Sequence, residues 1–204
     1  MDKVNAVTEA PVSSVDSYEI VLPPGWKQYP VQRGIAEKLY RHVRRVFEPG
    51  GNQQIIDQMR SLIYKAMRDL REHGGIDLFI PEDSRTGAAI PAALVSNRVS
   101  LGAKGLDVSL RLLTRGREYS EVETVVGTAY RWETPTVGAD SLTGLESGNI
   151  HYLFPFPGDN PTTGVMFTFS VLKSDELADE YREILVLVFD AMMNSLIWIY
   201  SEDS

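Results

Sequence analysis

The stretch from Ser174 to Tyr200, SDELADEYREILVLVFDAMMNSLIWIY, constrains this chain most. Ser174 is a helix-capping residue type, and Asp175 and Glu176 follow where a helix dipole favours negative charge. Leu177, Tyr181, Ile184, Leu185, Val188, Met192 and Ser195 recur at helical spacing, and Leu187 and Ala191 widen the stripe. A helix this apolar needs cover on most sides, which predicts that it lies across a sheet. Asp190, Asn194 and Ser195 interrupt it, and its unbroken apolar run is far short of the ~20 residues of a membrane span.

The chain has 204 residues. That length suits one large domain, and no break in composition divides it into two self-sufficient halves. The expected organisation is a disordered tail over 1–16 and a single domain over 17–204. There is no cysteine, which removes thiol catalysis, cysteine-ligated zinc, iron–sulfur clusters and disulfides together. The first residues, MDKVNAVTEAPVSSVDS, lack the apolar core of a signal peptide, so a cytoplasmic location is the default expectation.

The formal charge of −8 is unevenly spread. Residues 27–72 carry ten Lys/Arg against five Asp/Glu, whereas residues 133–204 carry two against twelve. Such polarity can orient a partner or a second copy of the chain. Solvated helix faces that differ in sign would give the same count.

In chain order, Tyr18 to Leu22 is expected to be a first strand, stopped by Pro23-Pro24-Gly25. Trp26 and Tyr29 are expected in a loop, packed as a lid over the core edge. Arg33 to Phe47 is an amphipathic helix with Ile35, Leu39, Val43, Val46 and Phe47 on one stripe, and Glu37 can pair with Arg33 and Arg41. Pro49-Gly50-Gly51 breaks the chain, Asn52 caps a second helix, and Gly74-Gly75 ends it.

Strand signals follow at Ile76–Ile80, Pro91–Val99, Leu106–Leu113, Glu121–Glu133, Asn149–Phe154 and Val165–Leu172. The alternation in Glu121–Glu133 shifts at Gly127, which predicts a bulge. Met166 to Val171 is almost uniformly apolar or β-branched and belongs at the centre of the sheet. Short connections without helices predict that successive strands are antiparallel neighbours. The fold class is therefore α+β: an antiparallel meander of about six or seven strands, an N-terminal helical hairpin and a long C-terminal helix, stacked as an α/β/α sandwich.

The order of these pieces resembles the PsbP-like superfamily, which includes the Mog-type factors and small bacterial proteins of unknown role. The similar pieces are Leu22-Pro23-Pro24-Gly25-Trp26, the strand Val125 to Arg131, and the helix through Leu187 to Met192 leading to Trp198. The basic hairpin at 33–73 departs from the best-known members. The resemblance implies a sandwich used for binding in accessory or partner-binding proteins, and supplies no catalytic residue set.

The residues themselves carry no reaction signature. G-x-S-x-G, G-x-x-x-x-G-K-[ST] and G-x-G-x-x-G are all missing. Gly102-Ala103-Lys104-Gly105 reads as a hairpin connection without the strand–loop–helix setting of a phosphate cradle. His42, His73 and His151 have no ligand spacing, so neither metal nor cofactor is expected. His151 could act as a general base in a small-ligand pocket with Tyr130 and Arg131, though no partner for it is identifiable.

Two surfaces remain as partner-binding candidates. Arg41, Arg44 and Arg45 share one flank of the first helix, and Arg60 belongs to the second, so aligned polar faces would make a basic ridge. The acidic pI, about 4.9, and the lack of aromatics interleaved with these arginines argue against nucleic acid. A protein partner or self-association fits better. Tyr152, Phe154 and Phe156 alternate to one side of a strand, as core residues or as an apolar interaction edge. The expected function is thus a non-enzymatic accessory or adaptor protein. The alternatives are a small-ligand protein or enzyme with a pocket near His151, and a virion or assembly subunit.

Overall fold

The computed structural model describes residues 15–47, 53–82, 92–102, 104–137, 146–172 and 179–201. The elements are β1 (Val15–Glu19), β2 (Trp26–Pro30), α1 (Ile35–Phe47), α2 (Gln53–Glu72), β3 (Gly75–Pro81), β4 (Ala92–Ser100), α3 (Leu106–Thr114), β5 (Ser120–Thr124), β6 (Gly127–Val137), β7 (Glu146–Pro155), β8 (Thr163–Leu172), α4 (Asp179–Asn194) and β9 (Ile197–Tyr200). Seven strands form an antiparallel sheet in the order β2-β3-β4-β8-β7-β6-β5, and β1 pairs with β9 in a separate ribbon. The α+β class, the hairpin and the C-terminal helix agree with the sequence. β8 is the middle strand of the seven, in keeping with the almost uniformly apolar or β-branched run Met166 to Val171.

Strand alternation sends side chains to two faces, and both faces are covered. On one, Phe79, Leu94, Ile150, Phe154, Phe167 and Phe169 pack against Leu185, Phe189, Met192 and Met193 of α4 and Trp198 of β9. On the other, Leu78 packs with Ile35 and Leu39 of α1 and Met67 of α2. Farther along that face, Leu110 of α3 joins Leu101, Trp132 and Leu153.

Several expectations are corrected. Leu106–Leu113 is a helix, not a strand. Its leucines satisfy both periods, and burial selects the helical one. Leu110 is buried and Leu106 and Leu113 are half-buried, while Leu112 is 74% exposed. Ser109 Oγ donates to the Leu101 carbonyl and anchors the first turn to the end of β4. The Gly102–Gly105 loop therefore does run from a strand into a helix.

Glu121–Glu133 is not one bulged strand but two, turning at Val125-Val126, with Thr124 paired to Gly127. Thr124 Oγ1 donates to the Gly127 carbonyl at 2.6 Å, and Gly127 takes φ 111°, where a side chain would be strained. The shift in alternation marked a turn.

The C-terminal helix stops at Asn194. Ser195 Oγ accepts the Val21 N–H (2.8 Å) and donates to the Met192 carbonyl (2.7 Å), tying the break to the chain beyond β1. Ile197 to Tyr200 then pairs with β1, Trp198 opposite Tyr18. The buried stripe also differs: Leu185, Phe189, Met192 and Met193 face inward, while Ile184 and Leu187 are 55% and 68% exposed.

Trp26 and Tyr29 lie in β2 rather than a loop, and Trp26 is buried against Phe169, ring centroids 6.2 Å apart. β1 begins at Val15, three residues before the strand expected at Tyr18. The meander is broken once, since β4 pairs with β8 and the chain crosses through α3 to start again at the far edge. The expected caps Asn52 and Ser174 lie outside the described residues.

Candidate functional site

The strand Ile76-Asp77-Leu78-Phe79-Ile80 carries one charged residue in phase with an inward-facing phenylalanine. Phe79 is fully buried, and Asp77 on the same face is only 6% exposed. A buried carboxylate needs partners. The Tyr18 phenol, from the ribbon, donates to Asp77 Oδ2 at 2.7 Å and lies 2.5 Å from Ser96 Oγ. Ser96 Oγ in turn accepts the Asp77 N–H at 3.0 Å. Burial, and then the neighbouring Asp77 charge, push the Tyr18 phenol up, so it stays a neutral donor.

Tyr18 and Asp77 of this trio line a cleft of about 580 Å³ between the ribbon and the start of β3. All five residues of β1 line it, so the strand offers its edge and not merely one face. β9 occupies one edge of β1, and among the described residues no strand pairs with the other. Phe156 and Trp198 form an aromatic wall, ring centroids 5.3 Å apart. The Arg98 guanidinium lies 5.5 Å over the Phe156 ring. The buried Trp198 indole nitrogen has no hydrogen-bond partner among the described residues. Asp16, Glu19 and Asp77 supply negative charge and Arg98 positive. The junction behind the cleft is close-packed: a Cβ on Gly75 would stand 2.7 Å from the Leu70 carbonyl oxygen.

His151 occupies a second, separate pocket on the α3 side of the sheet, of about 440 Å³. Its ring stacks on Trp132 (centroids 5.0 Å, 18°). Nε2 meets Thr134 Oγ1 at 2.8 Å and Nδ1 meets Thr168 Oγ1 at 3.0 Å. Burial, with a contribution from Arg117, pulls its pKa down to about 4, so the imidazole is neutral near pH 7. Tyr130 is on this face but does not line the pocket; its ring packs edge-on to Tyr119. Arg131 projects from the opposite face. It meets Asp190 Oδ1 of α4 at 3.3 Å and Glu133 Oε1 at 3.0 Å. The structure therefore does not bring Arg131 together with His151.

Tyr152 and Phe154 are core residues, 2% and 1% exposed, and the Tyr152 hydroxyl donates to Asp190 Oδ1 at 3.0 Å. Only Phe156, past Pro155, is accessible at the cleft. On the hairpin, Arg41 pairs with Glu37 (3.8 Å), which also accepts the Tyr64 hydroxyl at 2.6 Å. Arg60 lies over the Tyr40 and Tyr64 rings at 5.2 and 5.6 Å, so an aromatic setting does exist within the hairpin. Arg44 is exposed. The side chains of Arg45 and His42 lie outside the described residues. His73 is exposed, with Nδ1 2.6 Å from the Asp69 carbonyl.

On sequence grounds none of Tyr18, Asp77, Ser96, Arg98 and Trp198 is a candidate site residue. Asp77 in an inward phase was the one available signal; the others converge only through strand pairing. Among the described residues no group of three His, Asp or Glu is placed to hold a metal ion. Nor is any described helix long and apolar enough to cross a membrane.

No protein-family model matches the chain, and no curated protein matches it. Among solved structures, a point mutant of the protein Mog1 is similar, with a TM-score of 0.40 and 11% identity. That similarity covers 61% of this chain and 80% of the Mog1 chain. At this score and identity it supports no partner, activity or residue role.

Proposed function

We propose that this chain is a non-catalytic accessory protein that captures an extended segment of a protein partner in the cleft beside β1. The observation that carries this reading is the edge of β1 that no described strand pairs with, lining the cleft along its whole length. An extended segment adding to a strand edge gains backbone hydrogen bonds, and a neighbouring pocket supplies specificity. Here the pocket has an aromatic wall at Phe156 and Trp198, with carboxylates at Asp16, Glu19 and Asp77. That lining favours a segment carrying a basic side chain, because aromatic faces and carboxylates both attract a cation. Arg98, laid over Phe156, already shows such a contact within the chain.

A random peptide library selected on the immobilised full chain tests this. The expected result is enrichment of peptides containing Lys or Arg, whose binding weakens about tenfold or more with Phe156→Ala and with Glu19→Lys. Failure to enrich any peptide, or equal binding by both variants, overturns the reading.

A further inference from the structure

The pocket around His151 holds a set of groups that the cleft beside β1 does not use. The chain leaves α3 through Arg115, which caps the helix in the left-handed conformation at φ 54°. It is the one non-glycine residue with positive φ among those described. Helices commonly end in this conformation with glycine, because a side chain is strained there. Gly116 follows, also with positive φ (74°), so two successive left-handed residues close the helix and an arginine takes the first of them.

Arg115 lines the pocket together with Arg117. Among the described residues neither guanidinium forms an ion pair, and no carboxylate lines the pocket. The stacked rings of Trp132 and His151 line the same pocket, with the Thr134 hydroxyl beside His151. Leu113, Pro135 and Met166 complete an apolar wall. The His151 ring is neutral, its two nitrogens engaged by Thr134 and Thr168, so it acts here as a flat stacking surface.

We infer that this pocket binds a small amphiphilic anion, a carboxylate or phosphate on a flat apolar body. The body lies against Trp132 and His151, and the anionic group meets Arg115 and Arg117. Planar guanidiniums bind both kinds of oxyanion in bidentate fashion, and two of them without a carboxylate nearby select negative charge. The size, about 440 Å³, suits a small metabolite-like molecule. This inference is independent of the peptide cleft, which lies on the other face of the sheet.

The test is a titration of the full chain with benzoate, phenyl phosphate and uncharged benzyl alcohol, followed by the NMR signals of His151 and Trp132. Saturable shifts are expected with at least one anion, about tenfold or more tighter than with benzyl alcohol. The tighter of the two anions identifies the head group. Arg115→Gly should relax the helix end, leave the thermal midpoint level or raised, and weaken anion binding. Combining it with Arg117→Ala should weaken it about tenfold or more. Absence of saturable shifts with both anions, equal binding of benzyl alcohol, or a smaller loss in the folded double variant overturns the inference.

Discussion

Tyr18 and Asp77 are 59 residues apart in sequence, and the phenol of one donates to the carboxylate of the other at 2.7 Å in a buried setting. This bond ties the β1/β9 ribbon to the main sheet beside the cleft, along with the Tyr18–Phe167 and Phe154–Trp198 ring contacts. Removing only the hydroxyl, with Tyr18→Phe, leaves Asp77 with an uncompensated oxygen. The expected cost is about 2 kcal/mol, the range for a hydrogen bond to a charged group. Urea unfolding measures it, and an unchanged midpoint would show that the ribbon is held by apolar packing alone.

His151 should make stability depend on pH. Its folded pKa is lowered to about 4 from 6.5. Below pH 6.5 the unfolded chain takes up a proton that the folded chain refuses, so the unfolded state gains. The contribution is complete above about 6.5 and is lost as pH falls toward 4. It amounts to roughly 3 kcal/mol at most. Comparing native chain and His151→Gln by thermal unfolding between those pH values isolates it, because the variant should lack this part of the slope.

Asp190 joins α4 to the sheet through Arg131 (3.3 Å) and the Tyr152 hydroxyl (3.0 Å). Burial works against the Arg131 charge, and Asp190 and Glu133 more than offset it, so the guanidinium is held protonated. The pair is partly exposed, which reduces its worth. Asp190→Ala should cost about 1–2 kcal/mol. A double-mutant cycle with Tyr152→Phe should show coupling of about 0.5 kcal/mol or more. Strict additivity would mean that Asp190 and Tyr152 do not act together.

Gly75 sits where a Cβ would approach the Leu70 backbone oxygen to 2.7 Å. Gly75→Ala must shift the α2–β3 junction and should destabilise by about 1–3 kcal/mol. A crystal structure of the variant should show α2 displaced; a variant as stable as the native chain would contradict the tight contact.

On α4, Leu187 is 68% exposed whereas Phe189 is fully buried between sheet and helix. Leu187→Gln should change stability by no more than about 0.5 kcal/mol. Phe189→Ala should cost about 3–5 kcal/mol through loss of packing and a new cavity. Similar costs for the two would show that Leu187 is covered after all.

These contrasts separate what the chain says locally from what its fold decides. Residue order alone determined that α1 and α2 form a hairpin, because an apolar stripe and glycine breaks act within one or two turns. It likewise determined that β8 is central, because Met166 to Val171 carries no charge and is almost uniformly apolar or β-branched. The same local rules failed at Leu106–Leu113, where leucines fit a period of two and of 3.6, and only burial of Leu110 beside Leu101 and Trp132 chose the helix. They failed again at Ile197–Tyr200, which continues an apolar helix until β1, far away in sequence, offers a strand to pair with. The candidate sites belong to this second kind. Asp77 is visible as a charge in an apolar phase, but Tyr18 and Ser96 reach it, Trp198 joins the same cleft, and Trp132 reaches His151, only through strand registers fixed by the whole sheet. Pairing register is a property of two segments packed on a shared core, so no single stretch of the chain contains it.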